Sequence, residues 1–191
     1  MTRPMTPITP VTPTPPAWLP PMFAVSPWTA TTFDDLYTVF KTDFLDSTAS
    51  YGPHRVWIFR DQERGKETIF WHLAEKEDKT VGGRVADPRR AERLPWSRPM
   101  LDHIADPQVM HWDYEEGDKT IKTYVWLKDF DFVIVLKRMP DLSRRLITSF
   151  HVDYSNKKRD LERKYVQRLQ ETAGTNKKAS DQRWLNSFYR W

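Results

Sequence analysis

The chain has 191 residues, enough for one domain with a real core plus appendages. It contains no cysteine, which excludes a disulfide framework, a cysteine-based zinc site and a thiol nucleophile. The net charge of +4 hides an asymmetry: residues 1–136 carry 16 Lys plus Arg against 20 Asp plus Glu, whereas residues 137–191 carry 14 against 6. A basic final third is the footprint of a chain that meets a polyanion, nucleic acid first, unless it is only a solubilising surface.

Residues 1–31 hold nine of the fifteen prolines and a single charge, Arg3. Proline at this density removes amide donors and favours extended chain, so a Pro/Thr-rich extended or disordered arm is expected, with Trp18, Leu19, Met22, Phe23 and Trp28 available to dock it on the domain or on a partner. No apolar run approaches the ~20 residues of a helical membrane span, and the N-terminus lacks the basic start and apolar middle of a signal peptide. A soluble, cytoplasmic protein is the expectation.

The domain proper is read over residues 32–170. Thr32 can cap a helix, Asp34 and Asp35 suit its positive end, and Phe33, Leu36, Tyr37, Phe40 and Phe44 recur at helical spacing as a core stripe. Tyr51-Gly52-Pro53 breaks the chain, after which Val56–Phe59 and Glu67–Leu73 read as two strands joined by the turn Asp61–Lys66. A loop carrying Gly82, Gly83 and Arg84 follows, then short helices around Pro88–Leu94, capped by Asp87, and Ser97–Ala105.

Three more strands are expected at Val109–Tyr114, Thr120–Leu127 and Phe132–Lys137. In the second of these Ile121, Thr123, Val125 and Leu127 share one face and Lys122, Tyr124 and Trp126 the other, where aromatics beside lysine either stack bases or simply pack. A sixth strand, Arg145–Tyr154, alternates so that Ile147, Ser149, His151 and Asp153 oppose Leu146, Thr148, Phe150, Val152 and Tyr154. Asn156 can then cap a basic helix, Lys157–Gln170, with an apolar stripe of Leu161, Tyr165 and Leu169. Residues 171–191 read as a polar tail with a short aromatic helix around Trp184, Leu185, Phe188, Tyr189 and Trp191.

The stretch Thr68–Trp96 holds the densest chemistry. His72 ends an apolar run, and Arg84, Arg89, Arg90, Arg93 and Arg98 follow within fifteen residues. A histidine exchanges protons near neutral pH, and guanidinium forks bind phosphate oxygens bidentately, so the pattern suits a phosphodiester. The bland alternative is a structural histidine beside a solvated arginine loop. Metal chemistry is the weaker enzyme reading: His103 with His111, or His151 with Asp153, lacks HExxH or paired-carboxylate spacing. No Walker-type or dinucleotide glycine loop is present.

The order helix, strand pair ending in Phe70-Trp71-His72-Leu73, arginine loop ending in Arg93-Leu94-Pro95-Trp96, meander, and Ile147-Thr148-Ser149-Phe150 before a basic helix resembles phage and prophage nucleases of the barnase, EndoU, colicin and RelE (BECR) fold. The resemblance spans roughly Phe33 to Leu169. It implies an α+β fold with an N-terminal helix, an antiparallel sheet of about five to six strands and a basic C-terminal helix. It implies cleavage of RNA without metal or other cofactor, by attack of the ribose 2′-OH to give a 2′,3′-cyclic phosphate, as a toxin-like effector. His72 would be general acid or base, Arg84 or one of Arg89, Arg90 and Arg93 would bind phosphoryl oxygens, and Thr148 would position the phosphate. His151, Tyr154 or Lys157 would serve the second proton transfer. Arg89, Arg90, Tyr124, Tyr154, Lys157 and Lys158 would contact RNA, and an antitoxin or immunity protein would be a further partner. The alternative is a non-catalytic prophage module that binds nucleic acid or protein and has no need of His72.

Overall fold

The structure, a computed structural model, describes residues 13–168. Helix α1 (Thr32–Phe44) forms where the aromatic stripe demands it, burying Leu36, Phe40 and Phe44. Thr31, not Thr32, occupies its N-cap and makes no side-chain capping bond; the Thr32 hydroxyl instead accepts from the Thr29 amide at 2.8 Å. Strands β1 (Ala49–Tyr51) and β2 (His54–Trp57) pair antiparallel around Gly52.

A two-residue hairpin follows, β3 (Gln62–Glu63) and β4 (Lys66–Glu67). Arg64 and Gly65 both take positive φ, 52° and 75°, the backbone of a hairpin turn whose twist matches the strands it joins. The next segment departs from the expected strand: Thr68–Ala74 is helix α2. Its apolar run is short enough to fit either period, and packing decides it. As a helix it sets Ile69, Phe70, Leu73 and Ala74 into the core, and the Phe70 ring meets Phe33, Tyr37 and Phe40 of α1 at centroid distances of 5.2–6.4 Å. Glu67 at its N-cap accepts from the Tyr37 hydroxyl at 2.7 Å, a bond that with burial pushes the phenol up to about 12.

The segment expected as a loop is the hairpin β5 (Glu75–Asp78) and β6 (Gly83–Ala86), so Arg84 sits on a strand. Asp87 caps α3 (Pro88–Ala91) as expected, its carboxylate accepting from the amides of Arg89 and Arg90. A 3-10 turn at Leu94–Trp96 leads into α4 (Ser97–Asp102), so the two expected helices end earlier than the sequence suggests.

Strands β7 (Val109–Glu115), β8 (Ile121–Leu127), β9 (Phe132–Arg138) and β10 (Arg144–His151) form a meander. With β1 and β2 they make one six-stranded sheet in the order β1-β2-β10-β9-β8-β7, antiparallel except for the β2–β10 pair. The sheet curls far enough for its two edge strands to meet, with the Tyr51 hydroxyl 2.8 Å from His111 Nδ1. The fold is therefore α+β, with an N-terminal helix, a mostly antiparallel six-stranded sheet and a C-terminal helix.

One sheet face carries Val125, Leu127, Phe132, Ile134, Leu136 and Leu146, packed under α1, α2 and α4. The other carries Trp112, Tyr124, Trp126, Val133 and Val135, covered by the helix α5 that occupies residues 155–168, through Leu161 and Tyr165. In β10 the pairing skips from Leu146↔Leu136 to Thr148↔Val135, so Ile147 is an extra, bulged residue. The bulge puts Leu146 and Thr148 on opposite faces, where unbroken alternation had them together. Leu146 joins the core under α2, and Thr148 faces the α5 side beside Phe150.

The described part of the arm runs without helix or strand but is docked. Trp18 stacks on His103 at 4.7 Å and donates to Asp106 at 2.8 Å, the Phe23 amide donates to the Glu92 carbonyl, and Trp96 donates to the Pro20 carbonyl. No helix among the described residues is long and apolar enough to cross a membrane. The expected aromatic helix of residues 171–191 lies outside the described residues.

Leu161 is the buried contact through which α5 holds the second sheet face. Leu161→Ala should lower unfolding free energy by about 2–5 kcal/mol, read from the urea midpoint at an unchanged m value.

Candidate active site

Strand β10 is flanked by β2 only at Arg144 and Arg145; from Leu146 to His151 its second edge has no strand partner. An open edge must be covered, and here α2 and α3 lie against it. The cover is built from the residues that the sequence singles out. The His72 carbonyl near the end of α2 accepts from the Thr148 hydroxyl at 3.2 Å and from Arg90 Nη1 at 3.0 Å, and Arg90 Nη1 is 3.4 Å from the Thr148 hydroxyl. Arg90 also lies over the Phe150 ring at 5.6 Å and near the Asp87 carboxylate at 3.6 Å.

The His72 imidazole is half-buried. It opens on a cleft of about 270 Å³ lined by Phe59, Asp61, Thr68, Ile69, Arg145 and Ile147. Burial lowers its pKa below the ordinary 6.5, and the Arg84 and Arg90 guanidinium groups lower it further, against weaker opposing pulls from Glu63 and Asp61. The ring is therefore neutral at pH 7 and ready to accept a proton.

Of the nominated arginines, Arg84 and Arg90 are brought to His72, but as structural donors. Arg84 donates to the Glu75 carbonyl at 2.6 Å and lies 3.8 Å from its carboxylate, which is already held by both nitrogens of the Arg64 fork at 2.7 and 2.9 Å. Glu75 is 2% exposed, so its carboxylate depends on these donors, and Arg64 ties the β3–β4 turn to the start of β5 while Arg84 braces the β5–β6 hairpin. Arg93 is elsewhere: it pairs with Glu92, donates to the Arg89 carbonyl at 3.1 Å and covers the Trp96 ring at 5.2 Å.

A second cluster sits at the far end of β10. Asp153 Oδ1 lies 2.6 Å from Arg89 Nη1 and 2.9 Å from His151 Nδ1. Burial pushes the Asp153 carboxyl up, but the bonds from His151 and Arg89 outweigh it and hold the pKa below the usual value. This arrangement fixes the His151 ring while leaving its other nitrogen outside the pair. His151 is three residues from Thr148, roughly 10 Å along a strand, and does not line the His72 cleft.

The expected RNA contacts divide in the same way. Tyr154 is exposed, and Lys157 lies over both the Phe150 and Tyr154 rings at 5.5 and 5.6 Å. Lys158 is paired with Asp131 at 2.7 Å. Tyr124 offers no open ring: it is 5% exposed, stacked on Trp112, and bonded to Glu116 and to Lys164, while burial and the Glu116 bond push its phenol up to about 12. Of the four candidate metal residues, His103 lies under Trp18, His111 meets Tyr51, and His151 is held by Asp153.

Arg145 and Asp61 were not nominated from sequence, yet both line the His72 cleft. Arg145 falls outside the arginine-rich stretch, and its place beside His72 follows from the β2–β10 pairing, which no local pattern encodes. Among the described residues it has neither a carboxylate at ion-pairing distance nor a hydrogen-bond acceptor, and its Nε is buried without a partner. No protein-family model, curated protein or solved structure matches the chain.

The His72 shift has a stability consequence. An unfolded histidine takes up its proton near pH 6.5, whereas folded His72 resists, so its contribution is whole above that pH and declines as pH falls through the window below it. Between pH 7 and pH 5 the wild type should lose more unfolding free energy than His72→Gln. A difference between the two that stays constant with pH would remove the shift.

Proposed function

We propose that this protein is a metal-independent endoribonuclease in which His72 is the general base. One observation carries the reading: a half-buried imidazole whose pKa lies below the ordinary value shares a cleft with Arg145, which lies over the Phe59 ring and has no ion-pairing carboxylate or hydrogen-bond acceptor among the described residues. The cleft volume is near the lower end of small-ligand pockets, about 300 Å³, and fits a phosphate with its sugar better than a large cofactor. His72 takes the proton of the ribose 2′-OH, O2′ forms a bond to the adjacent phosphorus, and the P–O5′ bond breaks. The products are a 2′,3′-cyclic phosphate and a 5′-OH whose proton comes from water. Arg145 binds the phosphoryl oxygens as charge gathers on them.

In this account Thr148 and Arg90 act as positioning residues, fixing α2 and with it the imidazole through the His72 carbonyl. Burial first, and then Arg84 and Arg90, hold the His72 pKa below its ordinary value. Arg93 has no role in the chemistry. In a bacterial cytoplasm such an activity would arrest growth unless an antitoxin or immunity protein covered the cleft.

A second reading, a non-catalytic module that binds nucleic acid or protein, is favoured by the commitment of Thr148 and Arg90 to protein acceptors. One assay separates the two. With EDTA present, wild type should convert RNA to cyclic-phosphate ends, and His72→Ala should lower the rate by about 10²–10⁴-fold, the usual worth of a general base. Arg145→Ala should also lose activity, whereas Arg93→Lys should retain it. The rate should rise with pH through a midpoint below 6.5, because the active form of His72 is the neutral one. RNA left intact by wild type, or cleaved equally by His72→Ala, would leave the binding module as the better account.

A further inference from the structure

Strand β2 and the three residues after it run Arg55, Val56, Trp57, Ile58, Phe59 and Arg60. Val56 and Ile58 point inward, 4% and 8% exposed. That leaves Arg55 exposed, Trp57 half-buried and Phe59 51% exposed on the outer face. An exposed phenylalanine beside a tryptophan is an unusual thing to leave in water. The parallel register sets Arg145 of β10 opposite Trp57, and its guanidinium covers the Phe59 ring at 4.4 Å. Trp57 and Phe59 meet edge to face at 5.3 Å, and the Trp57 indole N–H donates to the Ser143 hydroxyl at 3.0 Å, which fixes the ring.

Charge singles out the same surface. The arginines of the β5–α4 region are each held by protein acceptors: Arg84 by Glu75, Arg89 by Asp153, Arg90 by the His72 carbonyl, Arg93 by Glu92 and Arg98 by Asp102. Among the described residues Arg55, Arg60 and Arg145 have no ion-pairing carboxylate and no hydrogen-bond acceptor. An open cleft of about 600 Å³, lined by Arg55, Trp57, Arg60 and the Met139-Pro140 turn, lies on one side of this surface. The His72 cleft lies on the other, and Phe59 with Arg145 lines it.

We propose that Arg55, Trp57, Phe59, Arg60 and Arg145 form a platform for an unpaired nucleic-acid strand, which they lead into the His72 cleft. The inference rests on the ribonuclease reading for the direction of the strand and adds to it the selection of single-stranded substrate. Bases stack on Trp57 and Phe59, and the unpartnered guanidinium groups take the phosphates. A duplex has no free base faces to offer the two rings, so it gains only the charge contacts. The signal was present in the sequence as Arg-x-Trp-x-Phe on one strand face.

The test is made with a fluorescent oligothymidylate of about a dozen nucleotides, which lacks the 2′-OH nucleophile and so reports binding apart from cleavage. Wild type should bind it more tightly than the same strand in a duplex. Trp57→Ala and Phe59→Leu should each weaken binding by roughly tenfold, within the usual range for loss of one base–aromatic stack, while Phe59→Tyr, which keeps the ring, should bind like wild type. Arg55→Gln should reduce the slope of log affinity against log salt by about 0.7, the value for one phosphate on a single strand. Circular dichroism checks that each variant is folded. No binding by wild type, equal binding of strand and duplex, or folded Trp57→Ala and Phe59→Leu variants that bind like wild type would each overturn the platform. Intact platform binding with no cleavage of the matching ribo-oligonucleotide would instead sink the nuclease reading alone.

Discussion

The half-covered edge of β10 is the constraint from which the rest of this structure follows. β2 pairs with it for two residues only, and beyond Arg145 the strand must find other partners. The fold supplies them with the end of α2 and with α3. A single backbone oxygen, the His72 carbonyl, receives both the Thr148 hydroxyl and the Arg90 guanidinium. Each such bond contributes only about 1 kcal/mol net, somewhat more for the charged donor, but together they fix where the His72 ring stands. The bulge at Ile147 belongs to the same device, because without it Thr148 would sit on the face with Leu146 and could not make these contacts.

Arginine has two uses here, and the distinction carries the functional argument. Around α2 and α3 the guanidinium groups are internal struts. Arg64 grips Glu75 while covering the Trp71 ring at 3.6 Å, and Arg84 bonds the Glu75 carbonyl. Such groups cannot reach for a substrate without loosening the hairpin. Their long-range effect survives, since Arg84 and Arg90 depress the His72 pKa from where they stand. Among the described residues Arg55, Arg60 and Arg145 have no internal acceptor, and Arg145 lies over the exposed Phe59 ring. Basic composition alone could not separate these two populations, which differ only in what the fold places opposite them.

Much of the architecture was legible in the sequence because its periodicity was long and unambiguous. The aromatic stripe of α1, the alternation of β8 and the Asp87-Pro88 cap all appear as read, and the ends of the meander strands shift by one to three residues, most at the end of β10. What failed was short. Glu67–Leu73 has the β-branched and aromatic content of a strand, yet edge-to-face and tilted packing of Phe70 against three rings of α1 holds it as a helix. β1, β5 and β6 are three or four residues each and carry no alternation long enough to read. For the site, the sequence named His72, Arg90 and Thr148, which do meet. It could not name Arg145, which reaches the cleft through a parallel pairing across some ninety residues of chain, and it read Asp61 only as part of a turn, whose carbonyl accepts from the Thr68 amide at the start of α2.

The central claim is that the His72 imidazole, neutral and beside Arg145, faces the phosphate of a bound strand. NMR titration of the His72 ring, free and with a 2′-deoxy oligonucleotide that cannot be cleaved, tests it most directly. The account predicts a midpoint below 6.5 in the free protein. On binding the midpoint should rise, because a phosphate within a few ångströms favours the imidazolium. A His72 titration that a saturating oligonucleotide leaves unmoved would contradict it.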